Sequence, residues 1–265
     1  MMTDNLFYVT LLAMAVTIKT PEEIEIMARG GEILMRAIQK MVVAARVGAT
    51  PKELDAIAER IIRDEGAKPA FLGYQPHGAV RLYSATICAS VNDVIVHGLP
   101  THYALHSGDV LKIDVGVLYK GFHTDGAVTV GIGEINTEAT RLIEATKKAL
   151  ILGIRSARIG NKIGDIGHAI GKYIHEKGFS VVEGLTGHGI GRELHEDPSI
   201  FNDARAGSGI IIKEGMVFAI EPMTSAGGPK IYKLPDDSYA TEDKSISAQF
   251  EHTVAITKNG PRILT

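Results

Sequence analysis

The sequence predicts a mixed α/β (α+β) fold made of two helix-then-strand halves, at about 18–133 and 136–265. Three observations predict it. Helix signals give way to short β-rich runs twice along the chain, an order expected of α+β architectures. A strand-end pattern, Gly-x-(apolar)2-x-Ile-acid, occurs once in each half, at Gly108–Asp114 and Gly215–Glu221. A His-Gly-apolar triplet precedes each copy, as His97-Gly98-Leu99 and His188-Gly189-Ile190, which points to an internal duplication.

The elements follow in order. The chain opens with an apolar stretch from Leu6 to Ile18, 13 residues closed by Lys19 and too short to span a bilayer. Met1 to Asn5 carries Asp4 and no Lys or Arg, unlike the cationic start of a secretory signal. Residues 1–17 therefore read as an extension, with the start codon better placed at Met14. Thr20-Pro21-Glu22-Glu23 combines an N-cap threonine, proline at the first helical position and acids in the first turn, predicting a helix to about Val43. Thr50-Pro51-Lys52-Glu53 repeats the signal as a capping box, and Leu54, Ile57, Ile61 and Ile62 carry a second helix to about Asp64. From Ala85 come short β runs, Thr86-Ile87, Val94–Val96, Val110–Ile113 and Ala127–Val130, separated by Gly, Asn and Pro. Helical patterning returns over Asn136–Ser156 and Ile163–Lys177, and β-type runs resume from Val181 to the C-terminus.

With 265 residues, 45% hydrophobic and 22% charged, the chain can bury a core without staples and has none of the composition of disorder. A net charge of −3 without blocks of like charge leaves no broad footprint for a polyanion, so neither nucleic acid nor a membrane is an expected partner. The lone cysteine, Cys88, cannot form an internal disulfide, which suits the cytoplasm. The run Gly187-His188-Gly189-Ile190-Gly191-Arg192 lacks the Lys-Ser/Thr of a phosphate loop, and no Gly-x-Ser-x-Gly elbow exists.

Asp114 ends a run of Val, Leu, Ile and Gly, and Glu221 ends Met-Val-Phe-Ala-Ile. A second acid follows in each half, Asp125 and Glu251, with β-branched residues at matching offsets after it. A lone buried carboxylate costs several kcal/mol, and the sequence around Asp125, Glu221 and Glu251 offers no Lys or Arg. A cation from solution is the natural compensation. Four carboxylates and a neutral imidazole match the charge of two divalent ions, and oxygen-rich ligation with one nitrogen favours Mn, Fe, Co or Zn in a two-metal site. Asp114 and Asp125, 11 apart with Gly116 and Gly121 between them, suit two facing positions of a hairpin. In His188-Gly-Ile-Gly-Arg-Glu-Leu-His195, one histidine could ligate metal and the other contact substrate, with glycines allowing close backbone approach to a ligand. His77, His102, His106, His123, His168, His175 and His252 read as surface or hydrogen-bonded residues, and Asp109 and Glu214 as turn or cap residues. A two-metal site suits hydrolysis, because it lowers the pKa of a shared water and polarises a carbonyl.

The runs Val91–Pro100, Ile113–Gly116, Thr124–Gly126, Thr186–Gly191, His195–Pro198, Ile220–Met223 and Ser247–Thr253 together resemble the type I methionine aminopeptidases, over about Ile18 to Ile263. The resemblance implies the pita-bread fold, two pseudo-symmetric halves around a central curved antiparallel sheet, with residues 18–265 as one catalytic domain. It implies Asp114, Asp125, His188, Glu221 and Glu251 as ligands of two divalent ions (Co2+, Fe2+, Mn2+ or Zn2+), Asp125 and Glu251 bridging. Glu221 would also shuttle a proton, His97 contact the scissile amide or leaving nitrogen, and His195 stabilise the oxyanion. Asn92, Val94 and Ser247 fall where family members often bind a monovalent cation. Phe71, Tyr74, Cys88 and Leu194 fall in the methionine pocket.

The implied reaction is removal of N-terminal methionine from peptides and nascent chains when the second residue is small, by a cytoplasmic monomer with a possible ribosome contact. The chain departs from the family at Leu194, where an aromatic residue is usual, and in having no Trp after Glu221, for which Tyr239 would stand in. Gln75 to Tyr83 reads as a longer pocket loop than usual. Prolidase and aminopeptidase P share the fold and the five ligands, but usually carry a separate N-terminal domain. Type II methionine aminopeptidases carry a helical insertion in the second half, where only 25 residues separate His195 from Glu221. A non-catalytic binding module of this fold is disfavoured by the full complement of ligand types and both histidines.

Overall fold

A computed structural model describes residues 16–75 and 81–265. The expected start at Met14, His77 and most of the expected pocket loop lie outside these residues. Helix α1 (Pro21–Ala44) begins on a capping box, in which Thr20 N–H donates to Glu23 at 2.9 Å and Glu23 N–H donates back to the Thr20 hydroxyl at 3.3 Å. Helix α2 (Pro51–Asp64) repeats this with Thr50 and Glu53. Both helices match their sequence expectation to within a residue.

Five strands follow: β1 (Lys68–Pro69), β2 (Ile87–Val91), β3 (Val94–Val96), β4 (Val110–Tyr119) and β5 (Phe122–Gly131). Strand β4 pairs antiparallel with β5 along one edge and with β2 and β1 along the other. The second half opens with α3 (Thr137–Ser156), whose N-cap Asn136 side chain accepts from Ala139 N–H at 2.7 Å, and α4 (Ile163–Glu176). Ten strands complete it: β6 (Ser180–Val181), β7 (Thr186–Gly189), β8 (Glu196–Phe201), β9 (Val217–Ile220), β10 (Met223–Ser225), β11 (Ile231–Lys233), β12 (Tyr239–Thr241), β13 (Ser247–Gln249), β14 (His252–Thr257) and β15 (Gly260–Ile263). They form an antiparallel sheet in the order β15-β14-β9-β7-β8 and a smaller one in the order β13-β10-β6, while β11-β12 adds the first-half strand β3. Among the described residues, no helix is long and apolar enough to cross a membrane.

Alternation along the strands separates core from site. On β4, Leu111, Ile113, Val115 and Val117 pack with Ile33, Leu34, Leu54 and Ile62 of α1 and α2, so Lys112, Asp114 and Gly116 take the opposite face. On β9 and β14, Phe218, Ile220, Val254 and Ile256 pack with α3 and α4 residues such as Leu142, Leu150, Ile166 and Ile170. That leaves Glu221 and Glu251 in phase with the other face. Fully burying each such aliphatic side chain contributes about 1.5–3 kcal/mol, which fixes which face the acids can take.

The halves are stitched together at β5. Glu251 N–H donates to the Ala127 carbonyl at 2.9 Å. Thr253 Oγ1 accepts from Asp125 N–H and donates to the Asp125 carbonyl, both at 2.8 Å. Thr129 Oγ1 makes the corresponding pair of bonds to the Gln249 backbone, at 2.9 and 2.5 Å.

Candidate active site

Asp114 and Asp125 share one face of the β4–β5 hairpin but do not face each other. Asp114 lies opposite Ala127, and Asp125 opposite Gly116. The cause is the two-residue turn at Lys120 and Gly121, both at positive φ (47° and 85°), which fixes Tyr119 opposite Phe122 and sets the register of the whole ladder. The acids become diagonal neighbours, still within mutual reach. Gly116 is glycine because a Cβ there would come within 2.7 Å of the Phe71 ring.

Glu221 and Glu251 sit where a ladder opens. Strand β9 pairs with β14 up to Ile220 opposite His252, and β10 pairs with β13 from Met223 opposite Gln249 in the same register. The two glutamates occupy facing positions in the gap between these pairings. His188 lies on β7 opposite Ala219. The flanking glycines serve packing: a Cβ on Gly187 would run into the Ala219 carbonyl, and one on Gly189 into the Asp197 carbonyl.

The eleven residues expected as metal ligands, catalytic groups or methionine-pocket wall, Phe71, Tyr74, Cys88, His97, Asp114, Asp125, His188, Leu194, His195, Glu221 and Glu251, line one cavity of about 640 Å³, whereas Asn92, Val94 and Ser247 do not line it. Ligand atoms of Asp125, His188 and Glu251 lie within 4.8 Å of one another. The four carboxylates are buried, and Asp114 Oδ1 and Glu251 Oε1 have no hydrogen-bond partner. Burial, reinforced by the neighbouring carboxylates, pushes Asp114, Glu221 and Glu251 well above the usual carboxylate range, and burial raises Asp125 to about 6. His188 donates Nδ1–H to the Gly189 carbonyl at 2.8 Å, which leaves the Nε2 lone pair free, 3.6 Å from Glu221 Oε1. Burial lowers its pKa to about 4, so the ring stays neutral. Orphaned, proton-hungry oxygens beside a free imidazole nitrogen fit a divalent cation.

His195 packs edge-on against His188, with centroids 4.4 Å apart, and its Nδ1 lies 2.6 Å from the Tyr74 hydroxyl. Desolvation of the ring by the protein behind it, reinforced by His188 and His97, pushes its pKa down to about 3. His97 adopts a left-handed conformation (φ 63°), uncommon outside glycine, and its pKa is lowered by burial and by Lys233. Tyr239 packs edge-on against His97, 5.9 Å between centroids, and is not among the residues lining the cavity. Phe71, Cys88 and Leu194 are buried in one apolar cluster, and burial together with Asp114 raises the Cys88 thiol pKa. Of the remaining histidines, His175 pairs with Asp203 at the surface, and Asp109 anchors a turn by accepting from His106 N–H at 2.8 Å.

Two participants escaped the sequence reading. Gln249 Nε2 donates to Asp114 at 3.3 Å and to Glu221 at 3.4 Å, tying ligands of the two halves together. Its signal was a buried amide two residues before Glu251 on the same strand face. Lys19 forms a buried ion pair with Glu196 at 2.6 Å, anchoring the segment that carries His195. Its signal was a lysine closing an apolar run.

A cavity of carboxylates and histidine between two sheet-bearing halves defines a metal-dependent hydrolase, and a profile of metallopeptidase family M24 matches residues 20–258. The chain is 42% identical over 251 residues to the methionine aminopeptidase of Clostridium perfringens, covering 94% of this chain and 98% of that protein. Its fold is similar to that of the Thermotoga maritima methionine aminopeptidase, with a TM-score of 0.90, 37% identity, and 95% and 99% of the two chains covered. The Pyrococcus furiosus prolidase is more distant, with a TM-score of 0.76 and 27% identity, covering 94% of this chain and 65% of that one. The chain belongs to metallopeptidase family M24 and, within it, to the methionine aminopeptidases. The fold is accordingly the pita-bread fold, and the family implies divalent metal binding.

Proposed function

We propose that the chain removes N-terminal methionine from peptides and nascent proteins whose second residue is small, with two divalent ions (Co2+, Fe2+, Mn2+ or Zn2+) held by Asp114, Asp125, His188, Glu221 and Glu251. One observation carries the reading: these five residues share a single cavity with His97, His195 and an apolar wall of Phe71, Cys88 and Leu194. When bound, the ions supply an activated water near neutral pH and polarise the scissile carbonyl.

The chain's own residues do the rest. Glu221 accepts a proton from the attacking water and returns it to the leaving nitrogen. Tyr74 donates its hydroxyl hydrogen to His195 Nδ1, so that Nε2–H is left to donate to the developing oxyanion. His97 contacts the scissile amide. Phe71, Tyr74, Cys88 and Leu194 enclose the methionine side chain, whose burial contributes about 1.5–3 kcal/mol. The enzyme works as a cytoplasmic monomer on chains emerging from the ribosome, following the family resemblance.

The test compares methionine release from Met-Ala-Ser, Met-Leu-Ser and a dipeptide with proline second, using metal-loaded protein and an Asp114→Asn variant. Cleavage of Met-Ala-Ser alone, lost in the variant, supports the reading. Turnover of the proline dipeptide with neither tripeptide cleaved would move the assignment to prolidase.

A further inference from the structure

Beside the acid cluster, where the halves meet, a buried amine donates to a main-chain oxygen on which both halves converge. Lys112 is 1% exposed and stands two residues before Asp114 on the cavity-side face of β4. Its Nζ donates to the Asn92 carbonyl at 2.6 Å. Asn92 forms the tight β2–β3 turn in a left-handed conformation (φ 54°), which brings its carbonyl to the junction. Ser247 reaches the same carbonyl from the other half, donating its N–H at 3.1 Å and its hydroxyl at 2.9 Å. The Ser247 hydroxyl also lies 3.3 Å from the Val94 carbonyl.

Converging carbonyl and hydroxyl oxygens are what a hard cation selects, and these three residues are the positions at which the resemblance implies a monovalent ion. The residues present do not fit an exchangeable ion there. The space against the Asn92 carbonyl is taken by a covalently attached nitrogen, and an entering ion would have to expel a buried amine from its hydrogen bond to that carbonyl. We infer that Lys112 is a built-in substitute for the monovalent cation: its amine occupies the Asn92 carbonyl, the oxygen on which Ser247 also converges, so the junction between the halves needs no bound Na+ or K+. Ammonium and neutral amine both donate N–H to the carbonyl, so the contact is kept in either state.

The test uses the full chain stripped of divalent metal by chelation, so that loading of the catalytic site does not enter the readout. Thermal midpoints are measured in KCl, NaCl and tetramethylammonium chloride at equal ionic strength, for wild type and for Lys112→Asn and Lys112→Ala. A ligand that binds only the folded state raises the midpoint. The wild-type midpoint should be the same in all three salts, whereas the variants should gain a saturable upward shift in KCl or NaCl over tetramethylammonium. A saturable shift in the wild type, or no shift in either folded variant, would overturn the inference. Wild-type crystals soaked in thallium(I) give a reading that needs no variant: an anomalous peak at the Asn92 carbonyl overturns it, and no peak there supports it.

Discussion

The Tyr74 hydroxyl lies 2.6 Å from Nδ1 of His195, across the cavity that holds the acid cluster. In the proposed mechanism this single hydrogen bond couples recognition of the methionine side chain to the tautomer of the oxyanion donor. Removing it should cost about 1 kcal/mol, or roughly a factor of 5–10 in rate. We expect Tyr74→Phe to lower kcat on Met-Ala-Ser by about that factor, and His195→Ala to lower it by about 100–1,000-fold, as loss of an oxyanion donor does. Steady-state kinetics on the two variants checks both figures.

Gly116 sets the depth of the pocket. Its missing Cβ makes room for the Phe71 ring, which would otherwise be 2.7 Å away, and Ala70 Cβ stands at 2.9 Å. Gly116→Val should push Phe71 into the pocket and cost about 1–3 kcal/mol of stability from overpacking. KM for methionyl peptides should rise more than kcat falls. Leu194→Ala does the opposite, hollowing the wall, and should lower kcat/KM for methionine by about 10–100-fold through KM.

The helices and the strand ends that carry the acids were legible in the sequence because they rest on local rules. The Thr-Pro-x-Glu boxes at Thr20 and Thr50 and the Gly-x-(apolar)2-x-Ile-acid pattern ending at Asp114 and Glu221 need no knowledge of distant residues. Asp114 and Asp125 could be placed on one hairpin face, but not in register, because register depends on the Lys120-Gly121 turn rather than on the acids. Gln249, Lys112 and the Lys19–Glu196 pair stayed hidden for a different reason. Each acts on a partner from a remote segment, and each reads locally as an ordinary polar residue on an apolar strand or run. The pairing of β3 with β12 is equally illegible, since nothing near Val94 announces Ala240.

Buried ion pairs fail badly when one member is removed. Lys19 and Glu196 are 4% and 8% exposed in their side chains, and the pair holds the segment leading into His195. Lys19→Met should leave Glu196 buried without its cation and cost about 3 kcal/mol, read as a lower denaturant midpoint. Lys19→Arg should retain most of that stability.

On the balance of two histidines and four carboxylates at the site, metal-free protein should be most stable at about pH 4. His188 and His195 have folded pKa values depressed from 6.5 to about 4 and about 3, so the unfolded chain binds more protons below pH 6.5 and stability falls as pH drops through that range. Asp125 is raised from 3.8 to about 6, and Asp114, Glu221 and Glu251 are raised well above their ordinary values. For these the folded state binds more protons, so their contribution is full at low pH and lost as pH rises through the folded pKa. The two trends oppose each other between about pH 4 and 6, where four carboxylates outweigh two histidines so that stability falls as pH rises, and above pH 6.5 the carboxylates alone lower it. Divalent ions replace those protons, so the gain in thermal midpoint on adding Mn2+ or Co2+ should grow from pH 6 to pH 8. Melting curves across pH with and without metal check this.

Methionine removal should depend on the acid cluster as a divalent metal site. Chelated protein is given Mn2+ or Co2+ stepwise, and methionine released from Met-Ala-Ser is measured against ions bound per chain, with Glu251→Ala alongside. We expect no release without metal, activity rising as the ions bind, and little binding or activity in the variant. Full release by the chelated protein, or an unaffected Glu251→Ala variant, would contradict that dependence.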